Sequence, residues 1–197
     1  MEFTIRIEGT APLLMHNARL ANPLDPVVKE IKKITGKRKK TDDDHEAIAR
    51  LEHMGGLYLD DDLGPYIPAE NIHRCLVDAG KKQKLGKAVT QGVLIASPVN
   101  PLAYKGPRDS AGLWDDKRFV SMWSAKVGMQ RVMRCRPRFA EWATEATGHI
   151  DPEVLDPDEL RTVAEIAGSL IGLGDWRPLH GRFRAALTFA NGNGKKK

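Results

Sequence analysis

The segment Arg131-Val132-Met133-Arg134-Cys135-Arg136-Pro137-Arg138-Phe139 alternates cations with smaller or apolar side chains. Alternate residues of a strand share one face, so Arg134, Arg136 and Arg138 would form a row roughly 7 Å apart, at about 3.4 Å per residue. Met133, Cys135 and Phe139 would then face the other side, toward helices. A guanidinium fork holds two phosphate oxygens at once, so such a row suits a phosphodiester backbone. A second reading is a solvated outer strand whose arginines pair with Glu141 and Glu145 on the next strand. A second segment, Gly172-Leu173-Gly174-Asp175-Trp176-Arg177-Pro178-Leu179-His180-Gly181-Arg182-Phe183-Arg184, combines glycines with cations and an indole. Its glycines let backbone amides approach a ligand. Arg177, Arg182 and Arg184 supply charge, and Trp176 can stack on a base. The competing reading is a helix C-cap and loop with Trp176 plugged into the core. Two basic clusters complete the set: Lys37-Arg38-Lys39-Lys40, and Lys81, Lys82 and Lys84 within a basic loop over 81–87. These are either solvated surface or parts of an electrostatic channel.

Catalytic and metal patterns are weak by comparison. The histidines (16, 45, 53, 73, 149, 180) form no HxxxH or HExxH spacing. Asp42, Asp43 and Asp44 beside His45 are accounted for by a helix N-terminus, where the dipole favours negative charge. Asp60-Asp61-Asp62 lacks calcium-loop spacing. No GxSxG, Walker A or dinucleotide fingerprint is present, so neither a cofactor nor a metal is expected.

The elements that must position these residues follow from periodicity. Phe3, Ile5 and Ile7 alternate with Thr4, Arg6 and Glu8, which predicts a half-buried first strand. An insertion over 25–56 reads as two helices. Val27, Val28, Ile31 and Ile34 line the first; Ala47, Ile48, Leu51 and Met54 give the second its apolar stripe. Ile72, Cys75, Leu76 and Ala79 repeat at helical spacing, and Val93 to Ala96 is a short buried strand. Residues 97–128 are expected to hold an extended loop or hairpin, with further strand signals at 119–123 and 129–139. The clearest helix spans 157–171, with Asp156 and Glu159 as a capping box and Pro157 at its first position. Phe183, Ala185, Leu187 and Phe189 mark the last strand. These elements predict an α+β fold: a ferredoxin-like βαββαβ core with a helical insertion and an extended hairpin, as one domain over 1–190. Residues 191–197 read as a disordered basic tail.

Composition agrees with a folded chain. Its 197 residues are 41% apolar and 29% charged, with a net charge of +5 and a pI near 9.2. A basic balance suits a polyanionic partner. Cys75 and Cys135 stand far apart, outside any CxxC pair, and are expected as buried thiols in a cytosolic protein. No apolar run reaches the ~20 residues of a membrane helix, and the N-terminus alternates like a strand rather than a leader.

Within this layout, Ile67-Pro68-Ala69-Glu70-Asn71-Ile72-His73-Arg74-Cys75-Leu76 resembles the turn-helix signature of the Cas7-like branch of the RAMP superfamily, the RNA-recognition-fold proteins of CRISPR effector backbones. The opening strand with its short apolar segment to Leu14, and the glycine-rich loop from Gly172 to Phe183, are similar to that family too. Ala69 stands in place of the usual Gly, Glu70 and Asn71 in place of serines, and His73 in place of Lys. The segment from Arg134 to Trp142 and the glycine-rich loop also resemble uncharacterised phage and prophage proteins. The resemblance implies a ferredoxin-like (RRM/RAMP-like) fold that binds single-stranded RNA or DNA and can assemble head to tail as a homo-oligomer. The insertion and the 97–128 loop would serve as finger and thumb. The expectation is therefore a non-catalytic single-strand binder. Two alternatives stand beside it: an endoribonuclease using His16, His73 or His180 as base, and a phage structural protein that binds an acidic partner.

Overall fold

The structure, a computed structural model, describes residues 1–190, except for the side chains of residues 126, 127 and 130. The basic tail expected over 191–197 lies outside the described residues. In chain order the elements are β1 (Glu2–Gly9), β2 (Leu13–Leu14), α1 (Pro26–Thr35), α2 (Asp42–Gly56), β3 (Leu59–Asp60), β4 (Gly64–Pro68) and α3 (Ala69–Lys82). There follow α4 (Gly86–Gly92), β5 (Val93–Ile95), β6 (Val99–Pro101), α5 (Ser110–Asp115), β7 (Val120–Val127), β8 (Gln130–Phe139), β9 (Ala143–Ile150), α6 (Pro157–Ile166) and β10 (Phe183–Phe189). They pack as two compact units. The first comprises residues 1–13, 66–104 and 141 onward; the second comprises 14–65 and 105–140.

The first unit is built on a four-stranded antiparallel sheet in the order β10-β1-β9-β5. Phe3, Ile5 and Ile7 of β1 are buried, as are Ala146 and Ile150 of β9 and Leu187 of β10. The helices of this unit bury their own stripes: Ile72, Cys75, Leu76 and Ala79 from α3, and Leu160, Val163 and Ala164 from α6. Period-2 strands and period-3.6 helices thus bury the stripes that the sequence predicts. The sheet's other face carries both signs. Arg6 pairs with Glu8 at 2.8 Å and lies opposite Glu145, while Arg184 lies opposite Glu8. This face is therefore not uniformly basic.

The outer edge of β10 is blunted. Arg161 of α6 donates to the Leu187 carbonyl at 2.7 Å, and its guanidinium sits 4.8 Å from the centre of the Phe189 ring. A carbonyl that a further strand would need is thereby occupied.

The helix expected over 157–171 changes register near its end. α6 has the capping box of Asp156 and Glu159 with Pro157 at its first position, but residues 167–171 form a π turn. The Gly172 N–H reaches back to the Ala167 carbonyl at 2.8 Å. At Gly168 any Cβ would stand 2.1 Å from the Phe183 carbonyl oxygen. The backbone of this turn therefore lies directly against β10. The wider turn also rotates its side chains relative to α6, leaving Leu170 57% exposed where α-periodicity places it in the core.

The second unit carries α1, α2, α5 and the β7–β8 hairpin. α1 starts where Asp25 accepts from the Val27 N–H ahead of Pro26. α2 starts on a reciprocal capping box between Thr41 and Asp44. The extended hairpin is formed by 120–139, because Pro98, Pro101 and Pro107 break residues 97–119 into short β6 and α5. The buried face of α2 also differs from the apolar stripe. Ala49, Glu52, His53, Gly55 and Gly56 are buried, while Met54 is partly exposed.

His53 is fully buried and donates from Nε2 to the Phe119 carbonyl at 3.1 Å, with its ring edge against Trp114. Burial lowers its pKa from 6.5 to about 4, against the opposing effect of the Phe119 hydrogen bond. Because the unfolded histidine takes up its proton near pH 6.5 and the folded one only near pH 4, stability falls as the pH drops through that window. The expected loss is about 3 kcal/mol from this side chain. Urea titrations at pH 7 and pH 4.5 should show it, and His53→Phe should flatten that part of the profile. An unchanged profile in the variant would refute the assignment.

Candidate nucleic-acid interface

β8 places the arginine row in the second unit, where it pairs with β7. Trp123 stands opposite Arg134, and Ser121 opposite Arg136. Cys135 and Phe139 point inward and are fully buried, as expected. Met133, expected to face helices, is instead 57% exposed, because it lies toward the distal half of the hairpin. The acids expected on the next strand, Glu141 and Glu145, share no ladder with the row: β8 pairs with β7, while β9, which carries Glu145, pairs with β1 and β5. A buried partner of the row is Glu52. Its Oε1 accepts from Arg134 at 2.6 Å and its Oε2 from the Cys135 N–H at 2.8 Å, with Arg136 at 4.0 Å. Arg138 reaches the Arg118 carbonyl at 3.4 Å. Two of the three guanidiniums are thus drawn to a buried carboxylate, and the row contributes to holding α2 on the hairpin.

The basic loop 37–40 is divided. Lys37 pairs with Asp44 at 2.6 Å and Lys40 donates to the Lys37 carbonyl. The Lys37 hydrogen bond holds the Asp44 carboxyl below its usual range. Arg38 and Lys39 are exposed and meet no carboxylate among the described residues. Asp25 caps α1 and pairs with Arg19 at 2.8 Å.

The first unit brings together two features that are distant in sequence. The end of α3 and the glycine-rich loop line one open cleft of about 770 Å³, with Lys81, Lys82, Leu170, Trp176, Arg177 and Pro178 among its walls. The loop is anchored at both ends. The Leu173 N–H donates to the Gly181 carbonyl at 2.9 Å, and the His180 N–H to the Trp176 carbonyl at 3.1 Å. Beneath it, the Cys75 thiol donates to the Gly172 carbonyl at 3.3 Å. Burial pushes that thiol up to about 12, so it stays protonated and keeps donating.

At the loop's tip Trp176 is 36% exposed rather than a core plug, and Arg177, Pro178 and Leu179 are exposed beside it. Arg182 ties the loop to itself by donating to the Pro178 carbonyl at 2.8 Å. Arg184 projects from the sheet face instead. On α3, Lys81 and Arg74 both pair with Asp78, at 2.9 and 3.1 Å. Burial raises the Asp78 pKa, but these two hydrogen bonds outweigh it and hold the carboxyl below its ordinary value. Lys82 and Lys84 are exposed and meet no carboxylate among the described residues.

Leu170 and Ile171 line the cleft although helical periodicity places them on the apolar core face of the 157–171 helix, and Asp78 joins them without any sequence signal. Among the described residues no cluster of acids, histidines and cysteines could hold a metal ion, and no helix is long and apolar enough to cross a membrane. No protein-family model matches the chain, and no match is found among curated proteins.

Proposed function

We propose that this protein binds single-stranded nucleic acid at the cleft between α3 and the glycine-rich loop. One observation carries the reading: an exposed indole on an anchored loop shares an open cleft with Lys81, Lys82 and Arg177. Unstacked bases offer a face to the ring and phosphates to the cations, which is how sequence-tolerant single-strand sites work. The apolar walls from Leu170 and Pro178 suit the base rather than the backbone. The strand order β10-β1-β9-β5 with α3 and α6 as connections is the order of a ferredoxin-like βαββαβ core, which supports the same reading by analogy of fold. The arginine row on β8 has a smaller part, because Glu52 already engages Arg134 and Arg136.

Fluorescence anisotropy with labelled ten-nucleotide RNA and DNA strands tests the proposal. Trp176→Ala should weaken binding by roughly 1–3 kcal/mol, or about five- to 150-fold, with an unchanged far-ultraviolet circular dichroism spectrum. Flat binding at low salt by the wild type, or equal affinities for wild type and variant, would reject it.

A further inference from the structure

A second basic cleft lies on the other side of Lys81. It has a volume of about 440 Å³ and is lined by Val77, Lys81, Lys84, Lys87, Thr90 and Gln91, together with the backbone at residue 86. The turn that creates it is tightly defined. After α3 ends, the Lys84 N–H bonds to the Lys81 carbonyl and the Leu85 N–H to the Gly80 carbonyl, folding α4 back along α3. Lys84, Lys87 and Gln91 are exposed, and neither lysine meets a carboxylate among the described residues. Thr90 spends its hydroxyl proton on the Gly86 carbonyl at 2.8 Å, which leaves its oxygen as an acceptor only.

Backbone conformation links the two clefts. Among the described residues, only two that are not glycine hold a positive φ: Trp176 at 54° and Lys84 at 61°. Each is a position where glycine or asparagine would sit with less strain, at a cost of roughly 1 kcal/mol for other residues. One lines the first cleft and the other the second. Strained positions that keep a large functional side chain point to a use for that side chain.

We infer that a strand whose base stacks on Trp176 continues past Lys81 into this second cleft, where Lys84 and Lys87 hold the phosphates of the adjoining nucleotides. The inference rests on the single-strand reading of the Trp176 cleft and adds to it a path and a footprint. Lys81 serves both clefts because it lines both. No base reading is assigned to the second cleft, since its walls offer no exposed aromatic ring. Its contribution is electrostatic and independent of sequence.

The test compares wild type with the double variant Lys84→Gln, Lys87→Gln on a dinucleotide and on a ten-nucleotide strand, each over a salt series. Both lysines are exposed, so the variant keeps its fold. Removing two phosphate contacts should lower the steepness of the log–log salt dependence for the longer strand by about 1.4, at about 0.7 per contact. The affinity at low salt should fall on the order of tenfold. Dinucleotide binding should be unchanged, since a dinucleotide occupies the Trp176 cleft alone. An unchanged slope in the lysine variant, when Trp176→Ala still weakens the longer strand, would overturn the path and leave the Trp176 site standing. An equal loss of slope from Lys29→Gln, Lys32→Gln on α1 would also overturn it, because general charge would then explain the effect. Absence of binding by any strand would overturn both readings.

Discussion

Glu52→Ala is expected to destabilise the second unit by about 3–5 kcal/mol. The carboxylate is 5% exposed and is a shared acceptor for the Arg134 guanidinium and the Cys135 N–H. Removing it strands a buried backbone donor on β8 and a part-buried guanidinium beside it. The backbone donor finds no other acceptor without moving α2 away from the hairpin, whereas the guanidinium of Arg134, a side chain 40% exposed, turns to water. Glu52→Gln retains an oxygen for the Cys135 N–H and loses only the charge opposite Arg134, so a smaller loss of about 1–2 kcal/mol is expected. Urea denaturation followed by tryptophan fluorescence measures both, since Trp114 and Trp123 lie in this unit. A loss below about 1 kcal/mol for the alanine variant would show that Glu52 does not clasp α2 to the hairpin.

Gly181→Ala should cost about 3 kcal/mol and also abolish binding at the proposed single-strand site. Residue 181 holds φ at +71°, and an added Cβ would stand 1.7 Å from the Leu173 carbonyl oxygen. That oxygen belongs to backbone, so no side-chain rotation relieves the clash. Relief requires opening the Leu173–Gly181 hydrogen bond that closes the loop. Trp176 and Arg177 would then lose their fixed placement at the cleft. Thermal unfolding reads the first effect and anisotropy with a ten-nucleotide strand the second. A variant with wild-type stability and affinity would contradict the anchored-loop geometry.

Elements with clean periodicity were legible in the sequence. β1, α3 and α6 bury the residues that their alternation or helical spacing selects, because each has one face in a core and the other in solvent, while β10 buries Phe183 and Leu187 and leaves Ala185 and Phe189 half-buried. The capping residues Thr41, Asp156 and Pro157 mark helix starts by local chemistry alone. The features that escaped have tertiary causes. Glu52 and His53 are buried on α2 because β8 and Phe119 supply their hydrogen-bond partners, and hydropathy counts both as surface residues. Leu170 leaves the core because a π turn, set against β10 at Gly168, adds a residue to the helix. Of the candidate site, Trp176, Arg177 and the lysines after α3 were recognisable by type. That Lys81 and Trp176 share one cleft was not, because nothing local in the chain relates α3 to the loop after α6. The arginine row was equally visible, but its buried partner was not.

The antiparallel neighbour of β1 on one side is β10, whose residues are the last of the described chain to be synthesised. The second unit, by contrast, has all its residues once position 140 has left the ribosome. Vectorial synthesis therefore lets the hairpin and its helices settle first, while β1 must wait with an unsatisfied edge until residues 183–189 have been made. Such long-range closure makes folding of the sheet slow. It also makes the nascent β1 strand the segment most dependent on protection from stray pairing.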